Sequence, residues 1–353
     1  MPLPIKTQMH LNRKPESLKE ETKAFDTLRQ LAYPSCPLPV LPSRFKELEE
    51  NGYMVIPDVV DAGTCDRLMA GLKHWLMEIG TGVNCEDRST WRHNKLPYSI
   101  HNIFQQYQSG HIEPVWKLRQ DERVIRVFED MWSTPARDLL TSFDGFCLRP
   151  PHEWLGRKGH VPGETDGEWY HYDQGNYTGR HTIQGFITLE DQDEKDATLM
   201  TVHQSHLHHA KFFRQFPART KAGDWVKFTP EELKWVLSQP GAREVRVAAK
   251  KGSMVLWDSR TAHCAGNALH GREHARWRGV IYTCYAPRRL ASEADLVKKR
   301  KAFEEMRTTN HHPAKSIHLF PLKPRWGKDP SEFKLRDKPV ELTPLGRRLA
   351  GFD

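Results

Sequence analysis

The sequence predicts a mainly β protein, an antiparallel sandwich or barrel with a few flanking helices. From about residue 140 to residue 287, short apolar or alternating runs are separated by glycine, proline and charged residues. Strands at such intervals, without a helix after each one, are typical of antiparallel sheets. The composition agrees, because 24 prolines, 23 glycines and 11 tryptophans favour a loop-rich β protein over a helical bundle.

The part of the chain before these runs predicts an arm, a first strand and two longer helices. Residues 1–42 are polar and proline-punctuated, so we expect an N-terminal arm on the surface. The stretch FKELEENGYMVI predicts a short helix, a turn at Asn51-Gly52 and a strand over 53–56. Apolar residues then recur at helical spacing over 62–79 and again over 122–132.

The strand-rich part predicts the body of one domain, which we place at residues 43–290. Within the insertion 211–240, Thr229 followed by Pro230 predicts the start of a helix. Residues 291–353 form a basic extension, expected as a helix and an ordered tail packed on the same domain. The predicted strands lie in LLTSFDGFCL, HTIQGFITLE, TLMTVHQ, EVRVAAKKGSMVLWD and RWRGVIYTCYA.

The distribution of charge and the absence of targeting signals bear on which partners and which compartment we expect. From Leu296 onward there are 14 Lys and Arg against 7 Asp and Glu, which accounts for +7 of the formal +8. The near-neutral body argues against a groove that follows nucleic-acid phosphates. No run approaches the roughly 20 apolar residues of a membrane span, and the N-terminus lacks a secretory signal. We therefore expect a cytoplasmic protein with a small-molecule substrate, while the oligomeric state stays open.

His171 and Asp173 in EWYHYDQGNYTG are either a hydrogen-bonded pair or half of a metal site. A third ligand is available downstream, because WDSRTAHCAG supplies His263 after an apolar run. Two imidazoles and one carboxylate on one face of an octahedron leave three positions open. That donor set is typical of non-haem Fe(II) oxygenases. We therefore predict that His171, Asp173 and His263 hold iron.

Two arginines follow His263 in the strand predicted at RWRGVIY. Alternation along this strand places Arg276, Arg278 and Tyr282 on one side. A guanidinium there can hold the far carboxylate of a dicarboxylate co-substrate with two parallel hydrogen bonds, which lysine cannot do. Arg276 and Arg278 both remain candidates.

The ordered motifs resemble those of the Fe(II)/2-oxoglutarate-dependent oxygenases, and among them the phytanoyl-CoA dioxygenase-like group. The opening LEENGYMVIPDVVD and the segment TIQGFITLEDQDEKDATLMTVHQSHLHH are similar to that group. In the second segment, Gln204-Ser205-His206 stands where the group has a Gly-Ser-His motif. The likeness covers Phe45 to Pro287. H-x-D alone is weak evidence, but the ordered set of H-x-D, Q-S-H, WDSRTxH and RWR is specific.

The resemblance implies a double-stranded β-helix, a cupin-like jelly roll with the site in its mouth. It also implies Fe(II), 2-oxoglutarate and O₂, with oxidation of a substrate C–H bond and release of succinate and CO₂. Hydroxylation is the usual outcome, while desaturation and ring formation stay open. Two alternatives are a nucleic-acid- or protein-directed oxygenase of the same chemistry, and a non-catalytic jelly-roll binding module.

Several neighbouring residues have simpler interpretations. The group His203, His206, His208 and His209 is expected to be a structural turn or pocket rim rather than a second metal site. His311 and His312 are expected to face solvent. Trp169, Tyr170 and Tyr172 either line the pocket or belong to the core. Ala265 departs from the family pattern, because a small hydroxyl residue often occupies this position.

Overall fold

The computed structural model describes residues 41–92, 95–155, 169–175, 179–221, 224–322 and 333–353. Within these ranges, strands form two five-stranded antiparallel sheets and one two-stranded ribbon. The first sheet has the order β1-β9-β5-β11-β3, the second has β7-β4-β10-β6-β8, and β12 pairs with β2. The strands are β1 (Tyr53–Ile56), β2 (Leu139–Thr141), β3 (Phe146–Arg149), β4 (His171–Tyr172), β5 (Ile183–Thr188), β6 (Leu199–Val202), β7 (Val226–Lys227), β8 (Glu244–Arg246), β9 (Met254–Asp258), β10 (His263–Ala265), β11 (Arg278–Tyr282) and β12 (Tyr285–Pro287).

Buried side chains divide this architecture into layers. One apolar cluster contains residues of both sheets, among them Phe186 on β5 and Leu199 on β6. A second cluster lies between the outer face of the first sheet and the helices that precede β2. A third packs the outer face of the second sheet against the helical insertion. Helices therefore flank two packed antiparallel sheets, and the predicted jelly-roll class is confirmed.

Helices lie near the positions predicted in FKELEEN, over 62–79 and 122–132, after Thr229 and in the extension, whereas those at 113–119, 209–215 and 344–349 were not predicted. Several helices begin at capping residues. The helices are α1 (Lys46–Asn51), α2 (Ala62–Glu78), α3 (Glu113–Arg119), α4 (Glu122–Trp132), α5 (His209–Gln215), α6 (Pro230–Leu237), α7 (Glu293–Glu304) and α8 (Pro344–Leu349). Thr229 caps α6 in a reciprocal capping box with Glu232, as its sequence predicts. Asp61 accepts a hydrogen bond from the backbone of Thr64 at 2.8 Å and so caps α2.

The turn between α1 and β1 depends on Gly52. This residue ends the helix with φ of +85°, a left-handed conformation that favours glycine. A Cβ atom at this position would lie 2.6 Å from both His206 Nδ1 and Thr261 Oγ1. The predicted turn is confirmed, and the glycine also lets the chain pass close to the loop that precedes β10.

The C-terminal extension contacts the body along much of its length. Lys299 on α7 is buried, donates to the backbone carbonyl of Thr141 and lies 4.1 Å from the ring centroid of Phe143. Phe303 packs with Phe143 and Trp116 in one apolar cluster. The predicted N-terminal arm, residues 1–42, falls outside the described residues apart from its last two positions. Among the described helices, none is both long and apolar enough to cross a membrane.

Arg180 ties α1 to the end of β9. Its Nε donates to Asp258 Oδ2 at 2.9 Å and its Nη1 donates to Glu49 Oε1 at 2.7 Å. The side chains of Arg180 and Asp258 are 7% and 0% exposed. Without Arg180, buried Asp258 keeps Arg260 but loses its second cationic partner, and Glu49 loses its own partner. Arg180→Leu should therefore lower the free energy of unfolding by about 2 kcal/mol. Urea unfolding measures this difference.

The matched control is Arg126→Leu, because the Arg126 side chain is 72% exposed and lies 3.9 Å from Glu129. Arg126→Leu should lower the free energy of unfolding by less than about 0.5 kcal/mol. Burial opposes the charge of Asp258, but Arg260 and Arg180 hold its pKa well below the usual range. A carboxyl with a depressed pKa stabilises the fold above its unfolded pKa and loses that contribution as pH falls. The Arg180→Leu effect should therefore shrink in acid, and an effect equal to that of Arg126→Leu at neutral pH would contradict the account.

Candidate metal centre

A cavity of about 760 Å³ receives side chains from both sheets and from the C-terminal extension. The second sheet supplies His171 on β4 and His263 on β10, while the first sheet supplies Gln184 on β5 and Arg278 on β11. His311 reaches the cavity from the extension. The cavity therefore lies in the mouth of the jelly roll, where the resemblance places the site.

His171, Asp173 and His263 converge in this cavity. One ligand-type atom from each lies within 4.8 Å of the other two. Asp173 Oδ2 is 3.7 Å from His171 Nε2 and 3.6 Å from His263 Nε2. Each of the three residues is at most 5% exposed. The pairing of β10 with β4 explains the meeting of the two histidines, since His263 and His171 are direct cross-strand partners.

The orientation of His263 suits metal binding. Its Nδ1 lies 2.8 Å from the backbone carbonyl of Thr261, so Nδ1 carries the proton and donates. The Nε2 lone pair is then directed at the centre, as in metal sites where the second ring nitrogen is held by a carbonyl. Burial, followed by the neighbouring His171, lowers the pKa of His263 to about 3. The ring is therefore neutral, which is the state that ligates metals.

Gln184 holds the carboxylate of Asp173. Its Nε2 donates to Asp173 Oδ2 at 2.7 Å and lies 3.4 Å from Ser259 Oγ. Burial opposes the charge of Asp173, but His311 and His171 are the main groups that hold its pKa well below the usual range. The carboxylate is therefore ionised and fixed in direction. Its Oδ2 lies between the Nε2 atoms of His171 and His263.

A stack of rings fixes the plane of His171. Trp169 lies parallel to it, with ring centroids 4.6 Å apart and an interplanar angle of 6°. His101 also stacks on Trp169, with ring centroids 3.7 Å apart and an interplanar angle of 14°. Trp169 therefore lines the cavity, whereas Tyr172 points to the opposite face of β4, packs against Phe212 and donates to the carbonyl of Ser205.

Arg278 is buried in the same cavity, with 6% exposure. Its Nε and Nη1 are buried and have no hydrogen-bond partner among the described residues. A buried guanidinium without a partner is costly unless an anion accepts its hydrogen bonds. The cavity therefore offers a binding place for a carboxylate.

Arg276 lies elsewhere, and the prediction that it shares a strand face with Arg278 is wrong. The strand begins at Arg278, so Arg276 precedes it and alternation does not apply. Arg276 Nη1 donates to Asp193 and Asp196, each at 2.8 Å. Both acids lie in the loop after β5, which draws the guanidinium away from the cavity lining.

The histidines outside the centre divide into two groups. His206 Nε2 bonds the carbonyl of Glu49 at 2.9 Å and His208 Nε2 bonds the carbonyl of Pro240 at 3.1 Å, in agreement with a structural turn. In the described part of the chain, no three-residue group of potential metal ligands includes either of them. The expectation that His311 and His312 face solvent is wrong, because the folded extension covers the cavity. His312 is 1% exposed, and His311 lines the cavity.

Comparison with known proteins identifies the family. The family model for phytanoyl-CoA dioxygenase (PhyH) matches residues 48–270, more than half of the chain. The protein belongs to the phytanoyl-CoA dioxygenase family. The match includes the candidate metal ligands His171, Asp173 and His263. It ends before Arg276 and Arg278, so it contains neither of these arginines.

Individual relatives are distant. "Ava biosynthesis cluster protein O" of Aspergillus versicolor is 27% identical over 287 residues, which cover 76% of this chain and 84% of that protein. The crystal structure of a provisionally designated oxidoreductase from Salmonella typhimurium LT2 matches with a TM-score of 0.54 and 14% identity, over 96% of this chain and 91% of that one. The crystal structure of EctD from S. alaskensis with 2-oxoglutarate and 5-hydroxyectoine matches with a TM-score of 0.45 and 13% identity. The match covers 86% of this chain and 90% of that one. The similarity to the Salmonella typhimurium structure supports the fold alone.

The residues present fit an iron centre by their chemistry. Two imidazoles and one carboxylate converge in the cavity, and no thiolate takes part in the cluster. Such a set suits a divalent iron that keeps open positions for co-substrate and O₂. Family membership supports a 2-oxoglutarate-dependent non-haem iron oxygenase.

Gln184 and His311 are among the residues of the site that sequence reasoning missed. Gln184 had a detectable signal, because an amide within the otherwise apolar strand TIQGFIT has to find a buried hydrogen-bond partner. His311 had none, because only tertiary packing brings the extension over the cavity.

Removing the Gln184 amide should weaken iron binding. Gln184→Leu keeps the approximate size but leaves Asp173 Oδ2 without its donor, so we expect a 10- to 100-fold loss of Fe(II) affinity, as for other groups that orient metal ligands. Anaerobic competition with a chelating dye measures this. Gln239→Leu is the control, because Gln239 is also buried but bonds Lys211 and Trp235 outside the cavity. Equal Fe(II) affinity in both variants would contradict a positioning role for Gln184.

Proposed function

We propose that this protein is an Fe(II)- and 2-oxoglutarate-dependent oxygenase that oxidises an unactivated C–H bond of a small molecule. The observation that carries the proposal is the pairing of two features in one cavity. The His171, Asp173 and His263 cluster can hold iron, and the buried Arg278 can donate hydrogen bonds to a carboxylate. Family membership supports the same chemistry.

Each residue has a defined task in this proposal. His171, Asp173 and His263 hold Fe(II), Gln184 orients the carboxylate, and Trp169 fixes the His171 ring. Arg278 binds the far carboxylate of 2-oxoglutarate in a bidentate manner. When bound, iron, 2-oxoglutarate and O₂ supply an oxidative decarboxylation that yields succinate and CO₂ and oxidises the substrate. Leu199 adds an apolar surface to the same cavity lining.

A small-molecule substrate is supported by the cavity of about 760 Å³ beside the metal-ligand residues and by the fungal relative, whose name places that protein in a biosynthesis cluster. The test is a metabolite-library screen of purified protein with Fe(II) and 2-oxoglutarate, in which substrate-dependent succinate is measured. His263→Ala provides the background. A library member that raises succinate only with the unmodified protein supports the proposal. Substrate-dependent succinate that persists in His263→Ala would contradict it.

Nucleic acid is expected to bind only weakly. Several basic side chains of the extension make internal contacts, since Arg300 Nη1 donates to Gly351 O at 3.1 Å and Arg307 Nε donates to Phe320 O at 3.0 Å. Any binding would therefore depend on the remaining surface charges, and the affinity for DNA or RNA should fall steeply as salt rises. Fluorescence anisotropy at low and physiological salt measures this. Tight, salt-resistant and sequence-selective binding would favour the nucleic-acid-directed alternative.

A further inference from the structure

One ion pair joins two distant segments at the cavity wall. His312 Nε2 lies 2.6 Å from Asp224 Oδ2, and His312 Nδ1 lies 3.1 Å from Thr182 Oγ1. Although Asp224, His311 and His312 have ligand-type atoms within 4.8 Å of one another, both His312 nitrogens are already engaged. The pair therefore acts as a clamp. Its chain neighbours, Trp225 and His311, both line the cavity.

His311 is placed to contact a ligand. Its Nε2 is buried without a hydrogen-bond partner in the described part of the chain. This atom lies 3.9 Å from Asp173 Oδ2, which is beyond hydrogen-bonding distance. His311 is therefore next to the candidate metal ligands without bonding to Asp173. A buried polar atom without a partner is unfavourable, and a ligand group in the cavity would satisfy it.

The segment that carries His311 is held on both sides. Thr309 N donates to Phe143 O at 3.0 Å, and Phe143 N donates to Thr309 Oγ1 at 3.0 Å. Asn310 N donates to His318 O at 3.1 Å. Because the backbone is fixed before a ligand arrives, little ordering is needed on binding.

Trp225 supplies a flat apolar surface to the same cavity. It is 41% exposed, and few other large apolar side chains in the described ranges are as exposed. Its ring centroid lies 5.6 Å from that of His171 and 5.7 Å from that of His101. His101 also belongs to the cavity lining. An exposed indole among other rings favours a planar partner.

Resting on the proposed function, we propose that the substrate combines a planar aromatic or heteroaromatic ring with a hydrogen-bonding group such as an amide. The ring packs on Trp225, and the polar group bonds His311 Nε2. Since His311 lies beside Asp173, this arrangement places the part of the substrate between the two contacts next to the iron site. Trp225 and His311 are thus specificity-determining residues supplied by the insertion and the extension.

Two probes that share one ring test the proposal. Indole-3-carboxamide and indole are titrated by anaerobic calorimetry into protein loaded with Fe(II) and 2-oxoglutarate. The carboxamide should bind about tenfold more tightly, the gain of one good hydrogen bond. His311→Leu should abolish this preference, and His311→Gln should restore part of it. Trp225→Ala should weaken both probes about tenfold, while Trp225→Phe retains most of the affinity.

His74→Ala is the matched control, because His74 is 66% exposed on α2 and pairs only with Glu78 among described partners. It should leave both affinities unchanged. Equal affinity for the two probes, no binding of either up to its solubility limit, or a preference that survives His311→Leu would each overturn the proposal. The absorption band of the iron–2-oxoglutarate chelate is recorded in the same samples. Its absence would refute the proposed function, whereas its presence without selective probe binding refutes only the substrate class.

Discussion

Replacing Arg278 with lysine is expected to raise the 2-oxoglutarate concentration for half-saturation by about 10- to 100-fold, with Fe(II) binding unchanged. Lysine keeps the positive charge but loses the planar pair of donors that matches a carboxylate. A charge-assisted bidentate contact in a buried site is worth about 1.5–3 kcal/mol, which corresponds to this range. Anaerobic calorimetry measures the binding of 2-oxoglutarate to the Fe(II)-loaded protein.

Arg276→Lys is the natural control, two residues away in sequence. Its guanidinium bonds Asp193 and Asp196, and its side chain is 23% exposed. That change should lower stability slightly and leave 2-oxoglutarate binding intact. If Arg276→Lys weakens 2-oxoglutarate binding and Arg278→Lys does not, the assignment of the anchor is reversed. If both variants bind normally, the anchor is a different residue.

Alanine at His171, Asp173 or His263 is expected to lower Fe(II) affinity by more than about 100-fold, beyond the loss seen when only a supporting group is removed. Each change removes one of three donors, and the two that remain no longer occupy one face of the ion. Iron content after anaerobic loading and desalting measures the effect. Circular dichroism checks that the fold persists.

The control for these variants is His208→Ala, because His208 bonds the carbonyl of Pro240 and belongs to no metal-type group in the described ranges. It should retain full iron content. Normal iron content in His263→Ala would remove β10 from the centre, and the metal would then have to be held by His171 and Asp173 with a different third group.

Local patterns predicted the parts of the fold that local physics determines. Thr229 followed by Pro230 predicts the start of α6, because both residues favour the first helical turn independently of the rest of the chain. The apolar spacing of 62–79 likewise predicts α2, whose buried stripe includes Leu68, Leu72 and Leu76. The H-x-D pair, with a downstream histidine, predicted the three residues that meet in the cavity, where His263 and His171 are cross-strand partners.

The remaining features depend on contacts between distant residues. The choice between Arg276 and Arg278 turns on where the strand begins and on Asp193 and Asp196, which lie some 80 residues earlier. The position of His311 depends on the packing of the extension against Phe143 and on the clamp between His312 and Asp224. Neither arrangement leaves a periodic or spacing signal in the sequence.

The central claim is that one cavity holds Fe(II) and 2-oxoglutarate together. The most direct test is an anaerobic titration of the purified protein, first with Fe(II) and then with 2-oxoglutarate. The visible absorption spectrum is recorded at each addition. We expect a weak charge-transfer band that appears only when both are present, saturates at one equivalent of each and is absent from His263→Ala. Stoichiometric iron binding without such a band, and without 2-oxoglutarate binding in calorimetry, would contradict the account.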